Sequence, residues 1–304
     1  MARLSEREYW DGVHAQERQS WDATQTPLDK PEASARTPLK KRLRARAERL
    51  FGADFLAYIF GYEEQLLWGM LYPSHLPRER GAKVLEVGSA PGDHLINLKR
   101  VFGLDPYGVE YSPAGAHLNR EVFAAGGVDP AQVIEADFFA AEFQTKYRES
   151  FDVVVSRGFI EHFDDVDDVL RKHLNLLKPG GRLFVMIPNL RGANYYLCRF
   201  FHKEVLDIHN LKIMERRTFS NLFEGKGLTP RFSDYYGVFS FYVFNTKPDS
   251  WRRHALRLCF YLQLPLNAVV RLLCGARGRG RSRWLSPALL YVGEKNGESG
   301  DMAT

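Results

Sequence analysis

The run Val84-Leu85-Glu86-Val87-Gly88-Ser89-Ala90-Pro91-Gly92-Asp93 constrains this chain more than any other stretch. An apolar segment leads into a loop of small residues, and His94 to Phe102 then carries the start of a helical pattern. That order predicts a strand, a tight turn and a helix N-terminus, a geometry in which backbone N–H groups can approach a nucleotide-like ligand. The loop fits E-x-G-x-G-x-G with Ala90 in the middle glycine place. Alone it decides little, because any sharp strand-to-helix turn favours glycine for its backbone angles. Its meaning depends on the residues downstream.

Beyond the loop, short apolar runs alternate with helical patterns. Residues 83–87, 107–110, 133–137, 151–156 and 182–187 read as strands, residues 92–101, 112–124 and 164–177 as helices, and Lys178-Pro179-Gly180-Gly181 as a turn. Such alternation predicts an α/β fold, a mostly parallel Rossmann-like sheet with helices on both faces. A helix over 215–227 and two further strands, 239–244 and 289–293, complete the pattern. Helical spacing at 6–21 and 55–71, with a basic run at 40–49, predicts a helical N-terminal cap. The expected organisation is a cap over 1–80, a core over 81–246, a basic apolar helical insertion over 247–286, a final core strand over 287–295 and a disordered tail over 296–304.

Ligands of open α/β sheets bind at the carboxyl ends of the strands. At that edge the first strand supplies Glu86 and the loop holding Gly88, Ser89, Ala90 and Gly92. The second ends in Glu110-Tyr111, about 20 residues past the loop, where a carboxylate can accept both hydroxyls of a ribose. The third ends in Asp137-Phe138, a carboxylate for an adenine amino group beside an apolar wall. The fourth opens into Ser156-Arg157-Gly158-Phe159-Ile160-Glu161-His162-Phe163.

With these four features in register, the chain resembles the class I S-adenosylmethionine-dependent methyltransferases over roughly residues 83–189, and the turn at Pro179 is similar to the one that precedes their fifth strand. The resemblance implies a seven-stranded sheet whose last strand inserts antiparallel, with S-adenosylmethionine as cofactor. It implies Glu86 near the loop, Glu110 on the ribose and Asp137 on the adenine. Gly88, Ser89, Ala90, Gly92, Tyr111, Phe138 and Arg157 are the remaining cofactor-side candidates. Ala90 departs from glycine but is small, and Pro91 suits the position before a helix because its missing N–H needs no partner. Charge agrees with the assignment. No lysine or arginine lies between Val84 and Asn97, while Glu86, Asp93 and Glu110 surround the loop, which suits a cationic sulfonium better than a phosphate. The competing reading is a nicotinamide-dependent dehydrogenase with Glu110 on the ribose; it leaves Asp137 and the Pro179 turn without a role.

His162, just past the fourth strand, is the foremost catalytic candidate: a neutral imidazole there could take a proton from an acceptor hydroxyl, a contribution of roughly 10²–10⁴ in rate. Packing beside the cofactor is the alternative. Glu161 could orient it. His209, in Asp207-Ile208-His209-Asn210, is a second catalytic candidate, and Asn189 and Arg191 are candidates for the acceptor pocket with Glu161. No metal site is expected; Asp164, Asp165, Asp167 and Asp168 open a helix, where carboxylates favour the positive end.

The acceptor is read by elimination. There is no polar-Pro-Pro-aromatic turn after the fourth strand for adenine methylation, no cysteine near strands four or five for cytosine, and no glutamate pair for protein arginine. Oxygen methylation of a small or lipid-linked molecule, such as a glycan, quinone or natural product, survives best. The segment 251–285 bears on this. From Ser250 to Gly293 there are eight arginines and no acid, against a net charge of +5 for the whole chain, so the rest is net acidic. An arginine-rich apolar helix there could lie on anionic lipid. It could also bind nucleic acid through its Gly-Arg run, or simply pack on the core. The apolar run within it, 258–270, is too short for a bilayer, which needs about 20 residues. Three scattered cysteines and the absence of an apolar leader in residues 1–30 lead to an expected cytoplasmic location, peripheral to the inner membrane face if the helix meets lipid. A non-catalytic membrane-surface or nucleic-acid adaptor on the same fold, and a nucleic-acid methyltransferase, are the alternatives.

Overall fold

The computed structural model describes residues 3–20, 66–244, 246, 251–274 and 280–297. Alternating apolar runs become one seven-stranded sheet: β1 (Lys83–Val87), β2 (Asp105–Glu110), β3 (Val133–Glu135), β4 (Phe151–Arg157), β5 (Leu177–Pro188), β6 (Leu228–Tyr236) and β7 (Ala288–Lys295). Their order is β3-β2-β1-β4-β5-β7-β6. β7 runs antiparallel to both β5 and β6, and the other neighbours pair in parallel. This is the Rossmann-like architecture that the sequence implied.

Period-two alternation sends successive side chains to opposite faces. Val84, Val153, Val155 and Phe184 pack on one side, under helices α2 (Asp93–Phe102) and α3 (Pro113–Ala125). Leu85, Val87, Val154, Leu183 and Val185 pack on the other, under α4 (Val166–Leu176) and α5 (Ala193–His202). Both faces are dry, which is why β1 and β4 read as nearly continuous apolar runs. Each such side chain contributes roughly 1.5–3 kcal/mol on burial.

The helices start where their caps stand. Ser112 Oγ accepts the Gly115 N–H at 3.1 Å ahead of Pro113, and an Asp165 carboxylate oxygen accepts the Asp168 N–H at 3.1 Å; such a cap contributes about 1 kcal/mol. Helix α1 (Arg7–Ser20) lies against α3. The stretch 66–75 is helical, ending in Tyr72–His75. The basic run 40–49, most of 55–71 and the tail 298–304 lie outside the described residues.

Several boundaries differ from the sequence reading. The expected strand 239–244 is a 3-10 turn, Phe241–Val243. Gln263 takes the backbone groups a ladder would need: its Oε1 accepts the Phe241 N–H at 2.6 Å and its Nε2 donates to the Phe239 carbonyl at 3.3 Å. The sixth strand lies earlier, at Leu228–Tyr236, and tolerates Pro230 because it is an edge strand with a register shift at that point. The helix expected over 215–227 is reduced to Arg216–Asn221. The 178–181 turn sits within β5, as a break in its register with β4. β3 stops at Glu135, so Asp137 belongs to the turn beyond it.

Between β6 and β7, helix α6 (Arg252–Cys274) is longer than the apolar run read from sequence and is, by length and composition, long enough to cross a membrane. Its inner face, with Leu256, Gln263, Asn267 and Val270, is buried against the domain.

Candidate active site

A cavity of about 150 Å³ opens at the carboxyl ends of β1, β2 and β4. Gly88 turns the chain there with φ +70°, and a Cβ at that position would stand 3.2 Å from the Phe159 ring, so glycine lets the loop lie flat against the wall. Ala90, Glu110, Tyr111, Asp137, Phe138 and Arg157 line the same space, as do Phe159 and His162.

Glu110 is the buried carboxylate of the rim. One oxygen accepts the Ser112 N–H at 2.9 Å and the other the Ala90 N–H at 3.5 Å. Burial raises its pKa, with those N–H groups pulling the other way. Asp137 is half-exposed and holds Arg3 in a two-pronged pair, both contacts 2.7 Å. Phe138, Phe139 and Phe159 form an aromatic cluster beside it, with centroids 5.0–6.4 Å apart.

Three cofactor-side candidates do not line the cavity. Glu86 is buried behind it, its Oε1 accepting from Arg157 Nε at 2.9 Å and its Oε2 paired with His94 Nδ1 at 3.1 Å. Burial opposes its ionisation, but the His94 and Arg157 charges and hydrogen bonds outweigh burial and hold its pKa at about 2. Glu86 is therefore an anchor for the loop and for Arg157. Tyr72 closes the network, its hydroxyl 2.7 Å from His94 Nε2. Ser89 Oγ accepts from Asn119 Nδ2 at 2.5 Å. Gly92 has φ +102° and no room for a side chain, since a Cβ would meet Asn119 Oδ1 at 2.2 Å. Both residues shape the loop from behind.

On the acceptor side, His162 reaches the cavity, with Trp10 edge-on to its ring at 5.2 Å. Burial first, and His209 second, lower its pKa to about 3. It is neutral at pH 7 and a weak proton acceptor, which argues against the base role read from sequence, since general bases work best with pKa values near the operating pH. His209 lies outside the cavity lining but against His162, ring centroids 4.5 Å apart. Glu161 is fully buried behind the wall. Asn189 is a clip and does not line the cavity: its Nδ2 donates to the Ser286 and Arg283 carbonyls at 2.8 and 3.3 Å, pinning β5 to the segment before β7. Arg191 borders a second, wider groove of about 620 Å³ with Tyr195, Tyr196, Tyr235 and Trp284.

Sequence reasoning missed the roof. Leu4 N–H donates to the His162 carbonyl at 2.8 Å, Arg3 bridges to Phe163, and Ser5, Trp10 and His14 complete the cavity wall. The spacing of Trp10 and His14 marks one face of α1, but nothing local says which surface that face meets.

The donor set fits S-adenosylmethionine. Glu110 and Asp137 present carboxylates to the cavity, aromatic rings offer a slot for a flat base, and the two arginines among its lining residues are each paired with a carboxylate, Arg157 with Glu86 and Arg3 with Asp137. A family model for a methyltransferase domain matches residues 62–231, more than half the chain. The chain belongs to the S-adenosylmethionine-dependent methyltransferase family. The methyltransferase is 27% identical over 172 residues to the human mitochondrial ubiquinone biosynthesis O-methyltransferase, covering 52% of this chain and 44% of that one. It is 26% identical to the demethylmenaquinone methyltransferase of Thermus thermophilus (50% and 69% covered) and 26% identical to a tRNA U34 carboxymethyltransferase of Desulfotalea psychrophila (48% and 44%). It thus spans less than half the length of the human relative. Among solved structures, geranyl diphosphate C-methyltransferase from Streptomyces coelicolor A3(2) aligns with a TM-score of 0.50 and 16% identity, over 88% of this chain and 87% of that one, a likeness of fold.

Proposed function

We propose that this methyltransferase methylates an oxygen of a small or lipid-linked acceptor of the quinol, glycan or natural-product type, working at a membrane surface. The observation that carries the reading is α6. Leu258, Tyr261, Leu262, Val269, Leu272 and Leu273 recur along one helical face and are all exposed, Leu272 and Leu273 by 85% and 80%. The opposite, buried face carries Gln263 and Asn267, hydrogen-bonded to each other at 2.7 Å. Leu256 and Val270 lie on that buried face too, so the helix is apolar outward as well as inward, whereas the outer face of a surface helix is ordinarily polar. Trp251 and Trp284 are exposed nearby, and the surrounding segment is rich in arginine without an acid, as an interfacial helix on anionic lipid requires. The helix packs against α5, whose Tyr196 borders the wider groove. Relatives named for ubiquinone and demethylmenaquinone support an apolar acceptor. A cytoplasmic location, at the inner membrane face, fits the same helix and the sparse, unpaired cysteines.

In this reading Glu110 accepts the ribose hydroxyls, Phe138 and Phe159 flank the adenine, Asp137 takes its amino group and Arg157 stands near the amino-acid end. When bound, S-adenosylmethionine supplies a methyl group on a cationic sulfur. The chain contributes mainly position, worth up to about 7–11 kcal/mol of barrier. His162, backed by His209, marks the acceptor end in this reading.

Labelled S-adenosylmethionine offered with phenolic, amine and RNA acceptors tests the chemistry; flotation on anionic liposomes tests the surface. The expected product is an aryl or alkyl methyl ether, and flotation by the wild type is lost in the Leu272→Glu/Leu273→Glu variant. Methylation of amines or RNA alone would overturn the oxygen assignment. Cofactor binding without turnover on any acceptor would favour the adaptor alternative, and absence of flotation would remove the membrane.

A further inference from the structure

Behind the acceptor-side wall, three donor side chains converge that the methyl-transfer reading does not use as a set. Glu161 and His162 come from the 3-10 turn Ile160–His162 after β4, and His209 from the loop ahead of the turn Leu211–Ile213. One donor atom of each lies within 4.8 Å of the other two. The backbone locks this approach, because the Asn210 N–H donates to the Glu161 carbonyl at 2.7 Å.

Both rings are oriented in the same way. His162 Nδ1 donates to the Ile208 carbonyl at 2.8 Å and His209 Nδ1 to the Val205 carbonyl at 2.6 Å. An imidazole that donates Nδ1–H presents Nε2 as a lone pair, and a backbone carbonyl on the far nitrogen is the partner that metal-bound histidines commonly have. Glu161 is fully buried, and neither of its carboxylate oxygens has a hydrogen-bond partner among the described residues. A buried carboxyl so left carries a desolvation cost that no neighbour offsets. A purely structural pair would close into a hydrogen bond, as Glu86 and His94 do at 3.1 Å; Glu161, beside two imidazoles, does not.

We propose that Glu161, His162 and His209 bind a divalent first-row transition-metal ion, Zn²⁺ or a congener, at the acceptor end of the cavity. Two imidazole nitrogens and one carboxylate suit such ions better than Mg²⁺, which prefers all-oxygen surroundings. Ligand bonds of about 2.0–2.2 Å set tetrahedral donors about 3.4 Å apart, so the three side chains close by about 1 Å through rotation. Of the three, His162 also lines the cavity, with Phe159 and Phe163, and through it the ion would adjoin the acceptor. An acceptor hydroxyl bound there is acidified by the ion. Its proton passes to water, its oxygen lone pair forms the new carbon–oxygen bond, and the electron pair of the broken carbon–sulfur bond stays on sulfur. This catalytic role rests on the oxygen-methylation reading; the ion site does not.

The test separates the two. Protein stripped with a chelator is titrated with Zn²⁺ by calorimetry and with Co²⁺ by visible absorption, without cofactor or acceptor. One ion per chain is expected, with the Co²⁺ bands of a site of low coordination number. Glu161→Gln and His209→Ala should each weaken binding by roughly 100-fold or more, beyond the 10–100-fold typical of losing an outer partner. Asp164→Asn, a nearby carboxylate outside the cluster, should leave it unchanged. Cofactor calorimetry on each variant checks that the fold is kept. Failure of the wild type to take up one ion, or equal uptake by folded Glu161→Gln and His209→Ala variants, would overturn the site. Ion binding with turnover unaffected by chelation would retain the site and overturn its role at the acceptor.

Discussion

Glu86, at the end of β1, and Glu161, just past β4, are both buried, and each has a histidine in reach. The fold treats them differently. Glu86 spends both oxygens on neighbours, one on His94 and one on Arg157, and is held ionised with a pKa of about 2. Glu161 spends neither, and burial lifts its pKa to about 8. The first cluster is closed and self-sufficient, which marks an architectural joint. The second gathers a carboxyl and two imidazoles within 4.8 Å without closing them into a pair, which is the contrast the ion proposal rests on. Burial alone does not tell the two apart; the partner count does.

The largest effect that can break this contrast is expected at Glu86. Glu86→Ala strands a guanidinium beside the cavity and should cost about 3 kcal/mol, the low end for breaking a buried pair because Arg157 also reaches the cavity. Chemical denaturation at pH 7 measures it, and a wild-type midpoint would show that the joint carries no weight. The pH dependence has a definite sign. A carboxylate held below its ordinary value of 4.5 stabilises the fold above that pH, and the contribution is lost as pH falls toward about 2. Glu86→Gln should therefore flatten the acid side of the stability curve between those limits. Next in size is Glu110→Ala, which removes a charged acceptor worth about 1.5–3 kcal/mol. Cofactor affinity should drop roughly 10–100-fold while thermal unfolding stays near wild type; unchanged affinity would take Glu110 out of the site. The smallest effect is expected at Glu161 in chelated protein. Glu161→Met exchanges an unpartnered carboxyl for an apolar chain of similar length, removes its uncompensated desolvation, and should leave stability unchanged or raise it by about 1 kcal/mol. A loss as large as that for Glu86→Ala would make the two clusters equivalent.

The legible part of the sequence divides along similar lines. The order of strands, the Gly88 turn and the carboxylate at Glu110 are local features, fixed by periodicity and by backbone angles that few residues adopt, and the structure puts them together at one rim. Asp137 could be placed there too, but not its pairing with Arg3, which spans 134 positions. His162 and His209 could each be singled out as loop histidines, yet only the folded chain shows that they touch. Asn189 looked like a pocket residue because it comes just after a strand; it is drawn instead into holding the Arg283 and Ser286 carbonyls. The strand misplaced to 239–244 shows the limit most plainly. Its aromatic, β-favouring composition was real, but a single glutamine of α6 outcompeted the ladder for its backbone groups.

That glutamine also governs how the insertion can be studied. Because Gln263, braced by Asn267, plugs into residues 239–241 while Leu272 and Leu273 look outward, α6 is at once a keystone for the segment after β6 and a greasy outer skin. Excising it would unseat the domain along with the surface, so the two duties can be separated only by repainting the outward residues one at a time and leaving the inward amides in place.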